Sequence, residues 1–565
     1  MARVTCPVRR ACLVLCAWCL VMAAPAWAQK PEVEDCDAKR AEACRLLRHA
    51  AEIGKEIPEK SSYFMIELAM AQARAGDFEG ALATVEQEGG DDTSAAQITL
   101  RGIASERAVA GDVLGALRIL DGLPEDQKAN ALDEVAYALA EAGLIDEAVP
   151  IAMGIPSPAR RAATLVWVAW FALDAGRKDG VPELLRQGLA ANAIAEVETY
   201  NPDIVHKYGA VGMARAGNAQ DALAIAGRLP DEHQQGLAYA EIAEVLTDAG
   251  DKEGALLALK NSLATAQLVR NRGNRAENLE EIAKGYVGLG DAQSALGVAH
   301  LMPIGVERIG ILHAIAAKQA DLGRLSESFQ TVALIEDLRE EVPYGTRPDP
   351  DPEPGWITLD GPEWISAYRA LARFQASAGD FSGAVEATSR MMDPGERIRA
   401  LREVAEEQLK SEDSSGAAST LRLAAQEGSK LEWYSVCEEL SLLASDQVRA
   451  GDSEGSLQTI QTMLARSKGE GSSEDRSETC IAKASQVQSE RGDIKAALDL
   501  ARRLEPGDYL HSDAFSNIAR AQVESGNVDG AIAIVEAETD ALARIFGLIG
   551  VAKALTESKQ CHRQE

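Results

Sequence analysis

The side chains most often used in catalysis or metal binding are sparse and far apart in this 565-residue chain. Its seven histidines occur singly, and none has the spacing of a zinc or metalloprotease motif. The sequence also lacks a nucleophile-elbow serine motif and a phosphate-binding glycine loop. Acidic pairs are frequent, but in so acidic a chain they say little about acid–base chemistry. The sequence therefore predicts a protein that is not an enzyme, with no catalytic residues, no cofactor and no metal.

A small set of basic residues has the right chemistry to bind an acidic segment or a terminal carboxylate. Arg369, Arg373 and Arg402 occupy two fixed positions in consecutive units of a repeat, and Lys284 occupies one of them in an earlier unit. We expect these positions to face inward, and guanidinium groups bind carboxylates with paired hydrogen bonds. The alternative is that each arginine pairs with a neighbouring acid such as Glu403, which would leave no binding site.

Trp170 is a candidate anchor for a ligand. It belongs to an aromatic group with Trp167 and Phe171, and helical spacing places Phe171 towards a packing seam and Trp170 towards a concave surface. Large aromatic side chains contribute strongly where they are exposed to a partner. The alternative interpretation is that the whole group packs in the core.

The cysteines predict one disulfide. Cys437 and Cys480 lie 14 and 12 residues before the turns of successive repeat units, so they fall at similar heights on neighbouring helices. Cys36 and Cys44 would be about 12 Å apart on a continuous helix, which is too far for a bridge. The sequence does not assign a partner to Cys561.

The candidate residues take their positions from an internal repeat. The motif Ala-Gly-Asp-x-x-Gly-Ala begins at Ala75, Ala110, Ala249 and Ala378, and related turns bring the total to thirteen. Glycine enters the left-handed conformation without strain, and the Asp or Asn that usually follows can cap a second helix. Twelve turns contain glycine and the thirteenth contains Glu412; the glycines are Gly76, Gly111, Gly143, Gly176, Gly217, Gly250, Gly290, Gly323, Gly379, Gly451, Gly492 and Gly526.

The helix before each turn carries a fixed apolar code. The residue seven before the turn is alanine in twelve units and Ser485 in the other, and a large aliphatic residue usually precedes it. Positions eleven, eight, seven and four before the turn form one helical face. A small residue that recurs on that face in every unit predicts that the partner helix crosses closely. The sequence therefore predicts an all-α chain of about 13 antiparallel helix pairs.

The unit resembles the tetratricopeptide repeat, as in Leu68-Ala69, Gly76, Phe78 and Ala81. The resemblance covers residues 61–540. It implies a right-handed α-solenoid, or superhelix, whose first helices line a concave face that binds protein or peptide segments. The chain departs from the family pattern because tryptophan is absent from the first apolar position and the closing proline comes early, as at Pro124.

The repeats are predicted to be flanked by caps and interrupted once. We expect an N-terminal capping helix in residues 29–60 and a C-terminal capping helix and tail in residues 541–565, because solenoid ends need cover. Repeats 1–8 span residues 61–338 and repeats 9–13 span residues 365–540. The proline-rich, acidic loop of residues 339–364 between them is either an extended loop held to the solenoid by its tryptophans, or a lid or partner-binding segment.

The beginning of the sequence predicts export. Residues 1–28 combine three arginines, an apolar stretch and an Ala-Trp-Ala ending, which is typical of a signal peptide. The rest holds 54 basic and 88 acidic residues, a net charge of −34 that argues against a nucleic-acid partner. Since the chain has no other long apolar run, we expect no stable membrane insertion and a periplasmic or extracellular location.

These features together predict an exported, non-catalytic scaffold that binds protein or peptide segments on its concave face, in an envelope or secretion assembly. The alternative is a saccharide-binding or saccharide-processing helical protein. Aromatic residues repeated at concave positions would favour saccharides. Those positions hold mostly Ala, Ser, Val and charged residues, which favours a polypeptide.

Overall fold

A computed structural model describes residues 33–57, 62–87, 94–193, 202–341, 363–391, 393–432, 434–467 and 476–557. These ranges contain 28 α-helices and one short 3-10 helix, and no strand. The predicted leader, Cys561 and residues 342–362 of the predicted loop lie outside the described residues. The flanking helices reach into the predicted limits of that loop, since one ends at Glu341 and the next begins at Glu363.

The helices are numbered in chain order. They are α1 (Val33–Gly54), α2 (Ser62–Arg74), α3 (Phe78–Gln87), α4 (Ser94–Val109), α5 (Val113–Asp121), α6 (Glu125–Glu141), α7 (Ile145–Met153), α8 (Pro158–Asp174), α9 (Val181–Asn192), α10 (Pro202–Arg215), α11 (Ala219–Ala226), α12 (Glu232–Asp248), α13 (Lys252–Ala266) and α14 (Arg272–Gly288). They continue as α15 (Ala292–Ala299), α16 (Val306–Asp321), α17 (Leu325–Glu341), α18 (Glu363–Ser377), α19 (Phe381–Ser389), α20 (Pro394–Lys410), α21 (Ser414–Glu427), α22 (Val436–Arg449), α23 (Ser453–Ala465), α24 (Ser477–Glu490), α25 (Ile494–Ala501), α26 (Tyr509–Glu524), α27 (Val528–Glu536) and α28 (Ala541–Thr556).

All thirteen predicted turns adopt the left-handed backbone. The twelve turn glycines have φ between 76° and 92°, and Glu412 has φ 62° in the remaining turn. The following residue caps the second helix: an Asp112 carboxylate oxygen accepts from the Gly115 amide at 2.8 Å, and the pattern recurs in other units. These caps satisfy amides that would otherwise lack a partner. The prediction of thirteen antiparallel helix pairs is confirmed, with α2 and α3 as the first pair.

Small residues allow the two helices of each pair to cross closely. The twelve alanines seven residues before the turn are at most 1% exposed, as for Ala243 and Ala283. Ser485, which replaces the alanine in one unit, donates a hydrogen bond from its hydroxyl to the carbonyl oxygen of Ala497 at 2.9 Å. The crossing therefore stays close in that unit, because the added polar atom has a partner.

A buried hydrogen bond also joins the two helices in several pairs. A threonine hydroxyl on the second helix donates to a glutamine side-chain oxygen on the first, twelve residues earlier in the chain. The pairs are Thr84–Gln72 (2.7 Å), Thr331–Gln319 (2.8 Å), Thr420–Gln408 (2.8 Å) and Thr459–Gln447 (2.8 Å). Each bond fixes the register of its pair, since sliding the helices would leave two buried polar groups unsatisfied.

The first and last helices pack against each other. Leu47 on α1, Phe64 on α2 and Ile545 on α28 belong to one buried apolar cluster. The Lys553 ammonium donates to a Glu67 carboxylate oxygen at 3.0 Å, joining residues 486 positions apart. Because α1 packs on both α28 and α2, it takes the place that a second helix has in the other pairs. The two terminal helices thus form a fourteenth pair, which closes the solenoid into a ring.

This closure changes the role expected for the capping helices. Both helices are present, but neither covers an open end. The apolar side of α1 packs on α28, and the side chains at this contact are buried. Leu46 on α1 and Ile549 on α28, for example, are at most 1% exposed. Each end of the array therefore serves as the neighbour that the other end lacks.

The first helices form the inner layer of this ring. Each first helix packs on the next one, α28 packs on α2, and the second helices pack on first helices. The Lys318 ammonium on α16 reaches Glu244 on α12 at 2.7 Å, passing over the intervening α14. Side chains converge in this way only on the inside of a curved array. We call the positions thirteen, nine, six and two residues before each turn the inner face, because they lie opposite the buried positions eleven, eight, seven and four.

Candidate functional site

The predicted arginines lie together but are engaged in ion pairs. The guanidinium of Arg369 on α18 donates to a Glu403 carboxylate oxygen on α20 at 2.9 Å and lies 3.5 Å from Glu396. The hydrogen bond to Glu403 raises the pKa of Arg369 above its usual value. Arg402 on α20 donates to Asp446 on α22 at 2.5 Å. Residues ten positions before the turn therefore point to the next first helix, whereas an inward direction was expected.

These contacts belong to a larger set that we call the arginine network. It consists of four arginines and four acids on α18, α20 and α22: Arg369, Arg399, Arg402, Arg449, Glu396, Glu403, Glu439 and Asp446. The side chains of Glu439 and Asp446 are only 5% and 9% exposed. Because the charges balance in number, the network joins three first helices and has no excess positive charge.

The other two predicted cations are also paired. Arg373 donates to Asp321 at 2.6 Å, and the Arg373 side chain is 56% exposed. The Lys284 ammonium lies 2.7 Å from Glu280 and 2.8 Å from Glu281. Although burial opposes the charged form, these two carboxylates raise the pKa of Lys284 above its usual value. The structure therefore places no predicted cation in an open, unpartnered position.

Trp170 is held in place by its neighbours. Its indole N–H donates to the backbone oxygen of Tyr208 at 3.1 Å, and the Arg215 guanidinium lies 4.6 Å from its ring centroid. A Cβ atom at Gly212 would lie 3.3 Å from the Trp170 indole nitrogen, so the backbone of α10 approaches the ring closely. Trp170 is half-buried, and these contacts give it a structural role in addition to its position on the inner face.

Aromatic and aliphatic side chains beside Trp170 are more exposed. Trp167 is 36% exposed and lies 5.1 Å from Tyr208, measured between ring centroids. Tyr137 on α6 is 43% exposed and Ile204 on α10 is 42% exposed. We call Tyr137, Trp167, Ile204 and Tyr208 the aromatic patch. Its members come from the inner faces of three successive first helices, α6, α8 and α10.

The sequence carries a signal for this patch in pairs of aromatic residues, which no single residue shows. Trp167 and Tyr208 both lie nine residues before their turns, in adjacent units. Tyr137 and Trp170 both lie six residues before theirs. Two aromatic pairs at matching positions of neighbouring units indicate a shared surface, whereas Trp170 alone does not.

Acidic residues flank the aromatic patch. The inner faces of α6, α8, α10 and α12 carry six acids and one base, Arg215. Burial raises the pKa of the Glu134 carboxyl, and nearby Asp133 adds to this effect against the influence of Arg101. Asp174 is paired with Arg215 at 2.5 Å. Glu141 and Asp248 are exposed and form no ion pair with described residues. This part of the ring is therefore apolar at its centre and negative around it.

Cys437 and Cys480 form a disulfide in the structure, with Cα atoms 4.9 Å apart. The bridge joins α22 to α24 and is buried. This is the pairing predicted from their register in successive units. Cys44 is a free, half-buried thiol whose sulfur donates to the Ala75 carbonyl oxygen at 3.5 Å, and burial raises its pKa.

The part of the chain that the structure describes contains no candidate metal site and no candidate membrane-spanning helix. Histidine, cysteine, aspartate and glutamate side chains there do not gather in groups of three or more that could hold a metal ion. None of the described helices is long and apolar enough to cross a lipid bilayer.

The sequence matches no protein-family model and no curated protein. Solved structures that align with it include TPR-like repeats of a kinesin light chain protein from Podosopora anserina (17% identity, 33% of this chain and 98% of that one, TM-score 0.22). Ton1535 from Thermococcus onnurineus NA1 aligns at 14% identity over 74% of this chain and 98% of that one, with a TM-score of 0.22. A Rap protein complexed with competence and sporulation factor aligns at 13% identity over 71% and 99%, with a TM-score of 0.23.

Three features of this chain define its architecture: thirteen antiparallel helix pairs, left-handed turns and a small residue that recurs at the crossing of each pair. By these features the protein is an all-helical repeat, an α-solenoid whose ends meet, and its units resemble the tetratricopeptide repeat.

Proposed function

We propose that the protein is an exported, non-catalytic scaffold that holds a polypeptide segment on the inner face of the ring. The aromatic patch is the observation that carries this proposal. Partly exposed aromatic side chains fixed by their neighbours are typical of the central contacts in protein interfaces. The patch spans three repeat units, so an extended segment could contact it along several residues.

The disulfide supports the export part of the proposal. Cys437 and Cys480 are buried and bonded, and such bridges persist in oxidising compartments outside the cytoplasm. The signal-peptide pattern of residues 1–28 independently favours the same location. A periplasmic or extracellular scaffold in an envelope or secretion assembly is consistent with both.

The polar side chains near the patch support a non-catalytic role. Asp133 accepts a hydrogen bond from Thr164 at 2.6 Å and lies 3.8 Å from Arg160. Glu134 is paired with Arg101 at 3.2 Å. Carboxylates held by neighbouring helices in this way contribute to the packing between units.

Site-specific photo-crosslinking tests the proposal without assuming which part of the ring binds. A photoreactive amino acid would replace Tyr137, Glu406 or Gln486, which lie six residues before their turns on three separate first helices. Leu257 on α13, which is 51% exposed, provides the control position on a second helix. After irradiation in the native envelope, adducts would be identified by mass spectrometry.

We expect polypeptide adducts from at least one inner position and none from Leu257. Adducts only from the control position would contradict binding on the inner face. Aromatic side chains do recur at inner positions of α6, α8 and α10, which is the pattern expected for a saccharide ligand, and aromatic rings stack on sugar rings. The recurrence is confined to these three helices, so a saccharide is the second candidate ligand. Inner-face adducts consisting only of glycans would favour that candidate and overturn the polypeptide scaffold.

A further inference from the structure

We propose that the aromatic patch selects a basic polypeptide segment, in which aromatic or aliphatic side chains are flanked by lysine or arginine. This inference rests on the proposed function and adds to it the side of the ring and the chemistry of the partner. Two independent features of the inner face support it: the rigidity of the patch and the distribution of charge around it.

The patch is held rigid from below. Trp170 packs against Trp167 and Tyr208, with ring centroids 6.5 Å and 5.6 Å away. Its hydrogen bond to the Tyr208 backbone ties α8 to α10 directly beneath the exposed rings. Tyr137 is fixed separately, because its ring meets Phe171 edge-on at 4.9 Å. A surface made of fixed rings loses little conformational freedom when a partner binds.

The exposed part of the patch is apolar and large enough for side-chain anchors. Trp167 and Tyr208 form a tilted pair, and Ile204 lies one helical turn before Tyr208 on the same inner face. Burying such side chains contributes about 25 cal/mol per Å² of apolar surface. An aromatic or aliphatic side chain of the partner therefore gains by covering the exposed parts of Trp167, Tyr137 and Ile204.

The cations around the patch are already engaged. The Lys207 ammonium pairs with Glu241 at 2.7 Å and lies 4.8 Å from the ring centroid of Tyr208. Arg215 pairs with Asp174 and covers one face of Trp170. An acidic partner would have to break these contacts, because the inner faces of α6, α8, α10 and α12 offer no other base.

The acids leave an excess of negative charge. Glu141 on α6 and Asp248 on α12 are exposed, form no ion pair within the described chain and lie on either side of the patch. On the inner faces of four other first helices, α16, α18, α20 and α22, the numbers of acids and bases are more nearly equal. The ion pairs of the arginine network illustrate this balance. Basic residues of a partner are therefore drawn to the aromatic side of the ring.

Fluorescence polarisation with two labelled dodecapeptides tests this inference on the full mature chain. In one peptide Phe and Leu alternate with Lys, and in the other Glu replaces every Lys. We expect the lysine peptide to bind at least about tenfold more tightly than the glutamate peptide. Trp167→Ala should weaken binding of the lysine peptide by at least about tenfold. Leu442→Ala is the matched control, since Leu442 is 41% exposed at the equivalent position of α22. It should change the affinity less than about twofold.

A second pair of variants separates local charge from net charge. Glu141→Lys combined with Asp248→Lys should weaken lysine-peptide binding about threefold to tenfold at low salt, and less at high salt. Glu406→Lys combined with Glu490→Lys makes the same change in net charge at exposed positions of α20 and α24. The control pair should leave affinity within about twofold of the parent.

Equal affinity for both peptides, wild-type binding by Trp167→Ala, or equal effects of the two charge-reversal pairs would each overturn the inference. Trp167→Phe keeps an aromatic ring and should retain most of the affinity, which distinguishes a lost contact from misfolding. Polypeptide crosslinks at Glu406 or Gln486, together with unimpaired binding by Trp167→Ala, would leave the scaffold function intact and refute only this assignment. A chito- or cello-oligosaccharide that displaces the lysine peptide would also count against it.

Discussion

The aromatic patch and the arginine network occupy the same layer of the same ring but use their side chains in opposite ways. In the arginine network, charged groups of α18, α20 and α22 are turned towards each other, and the acids Glu439 and Asp446 are almost fully buried. In the aromatic patch, α8 and α10 are joined by Trp170, while Trp167 remains over a third exposed. The first region satisfies its chemistry internally, and the second leaves part of it available.

This difference shows why unusual composition alone does not identify a binding site. A cluster of arginines stands out in a chain with a net charge of −31. Once each arginine has a carboxylate partner, however, little of that charge is left for a ligand. A tryptophan that packs on one face can still present the other face to a partner. Changes in the arginine network should therefore alter stability, and changes in the exposed part of the aromatic patch should alter binding.

The largest expected effect concerns the disulfide next to the arginine network. Replacing Cys437 and Cys480 together by serine removes a bridge that spans 43 residues of sequence. The loss of this cross-link should lower the free energy of unfolding by up to about 4 kcal/mol. Hydrogen exchange should show the loss in α22 and α24 first, because repeat arrays unfold locally. At temperatures below the unfolding transition, this variant should still bind peptide at the aromatic patch. Loss of binding there would show that the two regions are not independent.

The arginine network should show the next largest effect. Asp446→Ala leaves the Arg402 guanidinium, whose side chain is 20% exposed, without its carboxylate. We expect a loss of about 3 kcal/mol in urea unfolding. Arg449→Ala is the control, because Arg449 pairs with the same carboxylate but its side chain is 60% exposed. A loss of less than about 1 kcal/mol is expected there; equal losses would mean that burial of the pair is unimportant.

The two tryptophans of the aromatic region should separate stability from binding. Trp170→Ala removes the hydrogen bond to Tyr208 and the ring beneath Arg215, and we expect a loss of about 2 kcal/mol. Trp167→Ala should lower stability by less than Trp170→Ala does, since over a third of the Trp167 surface is already in water. Thermal unfolding of both variants checks this. Equal destabilisation by the two would show that Trp167 is part of the core.

The repeats could be predicted from sequence because their chemistry is local. A glycine with positive φ, a capping aspartate and an alanine at the crossing recur within each unit, so every unit adds evidence for the same element. The recurring turn also predicts the conformation of Glu412, which replaces the glycine in one unit and adopts the left-handed backbone, although this conformation is unfavourable for a residue with a Cβ atom. The pairing of Cys437 with Cys480 follows from the same register.

Ring closure could not be predicted in this way. It depends on the small rotation between successive units accumulated over the whole array, and no single turn specifies that sum. The contacts that reveal it, such as Lys553 with Glu67, join opposite ends of the chain. Likewise, the direction of Arg369 and Arg402 depends on how far each first helix is rotated towards the next. The expected inward direction was wrong for these residues for that reason.

Arg373→Glu should have the smallest effect. Arg373 lies at an inner position, but both Arg373 and its partner Asp321 are well exposed, at 56% and 42% for their side chains. Exposed pairs contribute between about 0 and 1 kcal/mol, so stability should fall only slightly, with like charges now facing each other. If the aromatic side of the ring binds the partner, Arg373→Glu should change the affinity for the native polypeptide identified by crosslinking by less than about twofold. A large loss of affinity for that polypeptide would move the binding site to the charged side and reverse the comparison, because Arg373 is the most exposed cation among the arginines predicted to bind.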